Sequence, residues 1–106
     1  MNHPLGEIGR FAEPSLFILA SLGEGPKHGY AIMTDVEAIS GQHLGPGTLY
    51  AALARLERRG LIEALAPEDR RRPYRLTGLG ATMLKNQLES LSAFARTGLK
   101  RLEGHG

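Results

Sequence analysis

Apolar residues keep a helical period over most of this chain, change briefly to a period of two, and then return to a helical one. Residues 1–12 have no period and read as a loose arm. Glu13-Pro14-Ser15 then opens a first helix, with Leu16, Ile18, Leu19 and Leu22 as its apolar residues and Phe17 beside them. The breaker cluster Gly23-Glu24-Gly25-Pro26 stops it. A second helix is predicted from Lys27 or His28 to Ile39, with Tyr30, Ile32, Met33, Val36 and Ile39 as its stripe and Ser40-Gly41 as its end. A third covers Leu44 to Gly60, with Pro46 where a first turn accepts proline and Gly60 placed as a C′ glycine. Its Leu49, Leu53 and Leu56 form one stripe. At 100° per residue the opposite face carries Gly47, Thr48, Ala51, Arg55 and Arg58, with Tyr50 and Arg59 on the flanks. Two helices joined by a short Gly-containing turn match the helix-turn-helix pattern.

After Gly60 the period becomes two. Leu61–Leu65 and Arg72–Thr77 are strand candidates around the proline-led turn Ala66–Arg71. Helix-turn-helix followed by a β-hairpin is the winged-helix order, and Arg70, Arg71 and Arg72 form the tip of the wing. From Thr77, a plausible N-cap, the pattern is helical again. Leu84, Leu88, Leu91, Ala95, Gly98 and Leu102 recur at alternating steps of four and three, with Phe94 and Leu99 alongside. A helix of about 25 residues spans ~37 Å, longer than the head of the molecule covers. Self-association with the same helix of a second copy buries the remainder; the alternative is a helix folded back on the first helix of its own chain. The fold expected is mainly α with a small β-hairpin, a winged helix-turn-helix with a long C-terminal helix. Its parts are an arm (1–12), a DNA-binding domain (13–77) and a dimerisation helix with tail (78–106).

Composition narrows the chemistry. A formal net charge of +2 says little, but residues 55–75 hold seven arginines against four acids, net +3, while the rest nets −1. That concentration suits a polyanion partner, and it equally describes a solvated surface hairpin. Cysteine is absent, which removes disulfides, thiol nucleophiles and thiolate metal sites. The four histidines, 3, 28, 43 and 105, make no HxxxH pair, and no serine sits on a strand-to-helix turn. No enzyme, metal site or cofactor is therefore expected. The GEGPKHG run lacks the Gly-Lys-Ser/Thr ending of a phosphate loop. No apolar run approaches 18 residues and no leader pattern opens the chain, so a non-membrane, cytoplasmic protein is expected. Two functions stay in play, a DNA-binding regulator and a winged-helix protein-interaction module that never meets nucleic acid.

Several motifs together resemble the PadR-type transcriptional regulators. They are Leu22-Gly23 through Pro26, His28-Gly29-Tyr30, Pro46-Gly47-Thr48-Leu49-Tyr50, Arg55-Leu56-Glu57, Gly60-Leu61-Ile62 and Arg72-Pro73-Tyr74-Arg75-Leu76-Thr77, with Gly80 soon after. Two positions depart from the family's pattern: Ala51 stands where proline is usual, and Gly45 where serine is frequent. The resemblance implies a homodimeric repressor on a palindromic operator, its third helices in successive major grooves. It implies DNA contacts from Lys27, His28 and Tyr30, from Pro46, Gly47, Thr48, Tyr50, Ala51 and Arg55, and from Arg70, Arg71 and Arg72. The single C-terminal helix resembles the short subgroup, whose dimer would use Leu16 and Phe17 with Leu84, Leu88, Leu91, Phe94, Ala95, Leu99 and Leu102. Some relatives respond to phenolic or planar molecules at the dimer interface. A small aromatic effector near Phe11, Phe17 and Phe94 is compatible with this sequence and not indicated by it.

Overall fold

Breaks in the hydrophobic pattern have become element boundaries. The computed structural model describes residues 14–105, so the arm, with Phe11, Glu13 and His3, lies outside the described residues. Chain order is α1 (Pro14–Leu22), β1 (Lys27–His28), α2 (Gly29–Ser40), α3 (Pro46–Arg58), β2 (Ile62–Ala64), β3 (Pro73–Leu76) and α4 (Gly78–Glu103). The fold is a winged helix-turn-helix with a long C-terminal helix.

The stop signals act through backbone geometry. Gly60 takes φ 77°, and its N–H bonds the Glu57 carbonyl (3.0 Å) while the Leu61 N–H bonds that of Leu56 (3.0 Å). This pair of bonds closes α3 in a Schellman motif, and the buried Leu56 and Leu61 supply its apolar contact. Gly41 ends α2 at φ 73°. Thr77 caps α4 by accepting from the Gly80 N–H (3.0 Å), and its hydroxyl donates to the Gly60 carbonyl (2.6 Å). The Thr77 N–H also reaches the Leu61 carbonyl (3.1 Å), so α4 starts clamped to the corner where α3 turns into β2.

One core joins Phe17, Ile18, Leu19 and Leu22 of α1, Ile32 and Val36 of α2, and Leu49, Ala52, Leu53 and Leu56 of α3. Leu44, Leu61, Ile62 and Leu84 complete it.

Several expectations need correction. The sheet has three antiparallel strands in the order β1-β3-β2, one more than a hairpin. Lys27 and His28 form its extra edge, opposite Tyr74 and Pro73, instead of opening α2. Tyr30 and Ile39 stand exposed, leaving Ile32 and Val36 as the buried pair of α2. Phe17 and Leu84 are core residues, each 8% exposed, and not the open seam positions expected. Ala52, only 1% exposed, joins the buried stripe of α3 and rotates the helix about its axis. The face turned away from the core is then Gly47, Ala51, Ala54 and Arg58. Thr48 and Arg55 move to one flank, with Tyr50 on the other.

Candidate nucleic-acid interface

The wing is built by pairing β2 with β3, Ile62 opposite Leu76, Glu63 opposite Arg75 and Ala64 opposite Tyr74. An exposed Glu63–Arg75 ion pair lies across the two strands. At the tip, Glu68 and Arg71 exchange backbone bonds of 2.7 and 2.8 Å around Asp69 and Arg70. Both central residues have positive φ, 47° and 67°, as a two-residue type I′ turn requires. That tight turn projects the exposed Arg70, Arg71 and Arg72 from one end of the sheet.

The start of α2 packs beneath the wing. His28 is its N-cap, with Nδ1 3.4 Å from the Ala31 nitrogen and Nε2 3.2 Å from Arg71 Nη1. Tyr30, 71% exposed, projects from the first turn. Lys27 behaves differently from the expectation of a DNA contact. Its ammonium turns inward to the Ser21 carbonyl, to Glu24 (2.7 Å) and to Asp35 (3.6 Å). This cation is already neutralised and ties α1, the following turn and α2 together.

The third helix presents its first turn with no capping side chain, because Gly45 at the N-cap has none to offer. Pro46, Gly47, Thr48 and Ala51 are exposed there. The flank residues are engaged. The Tyr50 hydroxyl rests on Gly29, where an added Cβ would overlap it. Arg55 Nη2 donates to the Ser15 hydroxyl (3.3 Å) at the start of α1. Burial raises the Tyr74 phenol above its ordinary value, with Glu57 and Tyr50 adding to the rise and Arg72 opposing it. Tyr74 thus keeps its proton on the side where α3 meets the wing.

A cleft lined by His28, Gly29, Tyr30, Tyr50, Tyr74 and the three wing arginines joins α2, α3 and the wing into one surface. Of the twelve expected contact residues, six line it, namely His28, Tyr30, Tyr50, Arg70, Arg71 and Arg72; Pro46, Gly47, Thr48, Ala51 and Arg55 are exposed elsewhere on α3, and Lys27 is turned inward. Three further residues bear on the contacts expected from sequence. Arg58 points directly away from the core, Gly29 seats Tyr50, and Ser15 holds Arg55. Arg58 was legible in the helical period; the other two pairings join residues distant in the chain.

The expected self-association residues divide in two. Phe17 and Leu84 are buried and Leu16 is half-buried, whereas Leu88, Leu91, Phe94, Ala95, Leu99 and Leu102 are exposed along one stripe of α4. Among the described residues, no group of three or more His, Asp or Glu side chains is placed to hold a metal ion, and no helix is long and apolar enough to cross a membrane.

The transcriptional regulator PadR-like family model matches residues 18–86. A transcriptional regulator from Clostridium thermocellum is 30% identical with a TM-score of 0.72, over 89% of this chain and 93% of that one. A PadR family transcription regulator from Clostridium difficile is 26% identical with a TM-score of 0.74, over 83% and 96%. RosR of H. salinarum is 34% identical with a TM-score of 0.68, over 76% and 74%. An uncharacterized 37.1 kDa protein in transposon TN4556 of Streptomyces fradiae is 42% identical over 83 residues, 78% of this chain and 24% of that protein. The chain thus spans about a quarter of the length of that curated relative. The family and the two Clostridium structures are transcriptional regulators, not enzymes. With the fold, the motifs and the matched span in agreement, this chain belongs to the PadR-like family of transcriptional regulators.

Proposed function

We propose that the chain is a homodimeric, cytoplasmic repressor of the short PadR subgroup, which binds a palindromic operator and leaves it on a signal. The observation that carries the DNA reading is the shared surface of α3 and the wing. Tyr50 of α3 lines one cleft with the exposed arginines 70, 71 and 72, and the outward face of the same helix is small, Gly47, Ala51 and Ala54. A helix enters a major groove only where its leading side chains let the backbone approach, and cations beside it meet the phosphates. Gly47, Thr48 and Ala51 then face base edges, with Ala51 suited to a thymine methyl. Pro46 starts α3 beside the backbone, and Tyr30, Tyr50, Arg55, Arg58 and the wing arginines meet phosphates or the minor groove. Lys27 takes no part.

Two copies joined along Leu88, Leu91, Phe94, Ala95, Leu99 and Leu102, with Leu16 at the edge, set the α3 helices about 34 Å apart, one turn of B-DNA. A flat aromatic effector between the copies would meet Phe94.

Fluorescence anisotropy with labelled duplex DNA at 50 and 200 mM salt tests the reading. About 6–10 phosphate contacts lose ~10³–10⁵ in affinity over that range. A chain that binds no duplex at the lower salt is the protein-interaction module instead.

A further inference from the structure

The turn at the tip of the wing holds a long side chain where its backbone favours none. Asp69 and Arg70 are the two central residues, with φ at 47° and 67°. A type I′ turn needs positive φ at both, and Asp-Gly or Asn-Gly is its usual pair. Asp69 conforms, because a short polar side chain tolerates the left-handed region. Arg70 stands where glycine belongs, in a conformation that penalises a Cβ. The turn also parts its two charges. Asp69 lines a cleft with Pro26 and Lys27, which Arg70 does not join. Arg70 lines the cleft shared with Tyr50 of α3, which Asp69 does not join. The neighbouring cations are engaged, Arg71 Nη1 3.2 Å from His28 Nε2, and Arg72 close enough to Tyr74 to oppose the rise of its phenol. Among the described residues Arg70 has no hydrogen-bond or ion-pair partner.

We propose that Arg70 is a specificity-determining residue, which enters the minor groove from the wing tip and selects base pairs that lack the guanine amino group. The inference rests on the DNA-binding reading above. A backbone outlier held at a cost marks a position kept for something other than stability. Here the side chain so held is a cation on the surface that meets DNA. A two-residue turn is the tightest hairpin tip, and the minor groove is only about 6 Å wide. A guanidinium carries five N–H donors and no acceptor. The minor-groove edge of an A·T pair offers only the acceptors adenine N3 and thymine O2, so the two are complementary. A G·C pair adds the guanine amino group there, which meets the guanidinium donor to donor. Arg71 and Arg72, below the tip and already engaged, are left to the phosphates, where they add affinity without sequence choice. Asp69, kept to the other cleft, stays clear of the negative potential of a narrow groove.

Alternating dI·dC and dG·dC duplexes isolate this contact. They present the same major-groove edges and differ in the guanine amino group, which lies in the minor groove. Fluorescence anisotropy at about 50 mM salt should show the wild-type chain binding dI·dC at least about fivefold tighter than dG·dC. R70G should bind both duplexes with equal, weaker affinity. Glycine suits the turn, so this variant keeps the wing and should melt several degrees above the parent. R72A should weaken both duplexes alike and retain the preference. A wild-type chain that binds the two duplexes equally overturns the role of Arg70 and leaves the DNA reading standing. A preference that persists in R70G, or vanishes in R72A, gives the groove to another residue and overturns the assignment. A glycine variant no more stable than the parent overturns the cost from which the inference starts. Binding to neither duplex overturns the DNA reading, and the role of Arg70 with it.

Discussion

Arg55 and Tyr50 occupy opposite flanks of α3, and each leans on another helix, Arg55 on Ser15 and Tyr50 on Gly29. Base edges are read by residues in the N-terminal part of a recognition helix. Arg55 lies nine residues beyond Pro46 and is turned toward α1, which suits a phosphate better than a guanine. Arg55→Ala should therefore weaken operator and random duplex alike, reduce the slope of log K against log salt by about 1, and relax no operator position. Binding assays on an operator and its single-base variants check this. A loss confined to one base pair, with the salt slope unchanged, would make Arg55 a base reader. The helical period made Arg55 legible as an outward cation. Its flank was not legible, because it depends on Ala52, and an alanine gives no sign of which way it faces. Lys27 hid its role for a related reason: a lysine near a helix start looks like a phosphate contact until the fold supplies the Ser21 carbonyl, Glu24 and Asp35.

Among the elements, the junction of α3, β2 and α4 fixes the wing relative to the long helix. Gly80 lies against the Leu61 backbone so closely that a Cβ would overlap the Leu61 carbonyl oxygen. The same carbonyl accepts from the Thr77 N–H, so neither side can yield without losing the cap of α4. Gly80→Ala should cost about 1–3 kcal/mol despite the better helix propensity of alanine. For a domain of this size that is a fall of several degrees in Tm, measurable by calorimetry. A variant as stable as the parent would mean that the start of α4 shifts freely. Helices were legible in the sequence because their periods persist for nine residues or more and end in glycines. β1 was not, because a strand of two residues has no period and exists only through its pairing with β3. Of the wing, the sequence disclosed the cations and the proline, while the left-handed pair Asp69-Arg70 departs from the glycine such turns favour.

On the scale of the whole molecule, α4 is the part the head leaves unfinished. It has 26 residues, ~39 Å at 1.5 Å each, yet only Gly80 and Leu84 are buried. Beyond them one stripe exposes Leu88, Leu91, Phe94, Leu99 and Leu102, with Phe94 at 76% and Leu102 at 67%. Monomers rarely leave a contiguous apolar patch of more than a few hundred Å² uncovered. A second copy offers the same stripe by symmetry, and an isologous contact covers both at once. The near part of α4 already packs beside α1, where Leu16 and Leu19 meet Met83, Gln87 and Leu91, and the helix runs on unbroken to Glu103 past the nine described residues of α1. The position of each substitution matters to the test. Leu91 lines a cleft with Leu16, Leu19, Leu56 and Leu61 of its own chain, so changing it disturbs the head as well. Phe94→Glu with Leu102→Glu reaches only the projecting part. The wild-type chain should sediment at twice its chain mass, and the double variant at the chain mass with an unchanged helical circular dichroism spectrum. Its affinity for a two-half-site operator should fall steeply, while its weaker binding to a single half-site persists, because each α3 and wing is intact. A double variant that remains dimeric would place the contact elsewhere than on the α4 stripe.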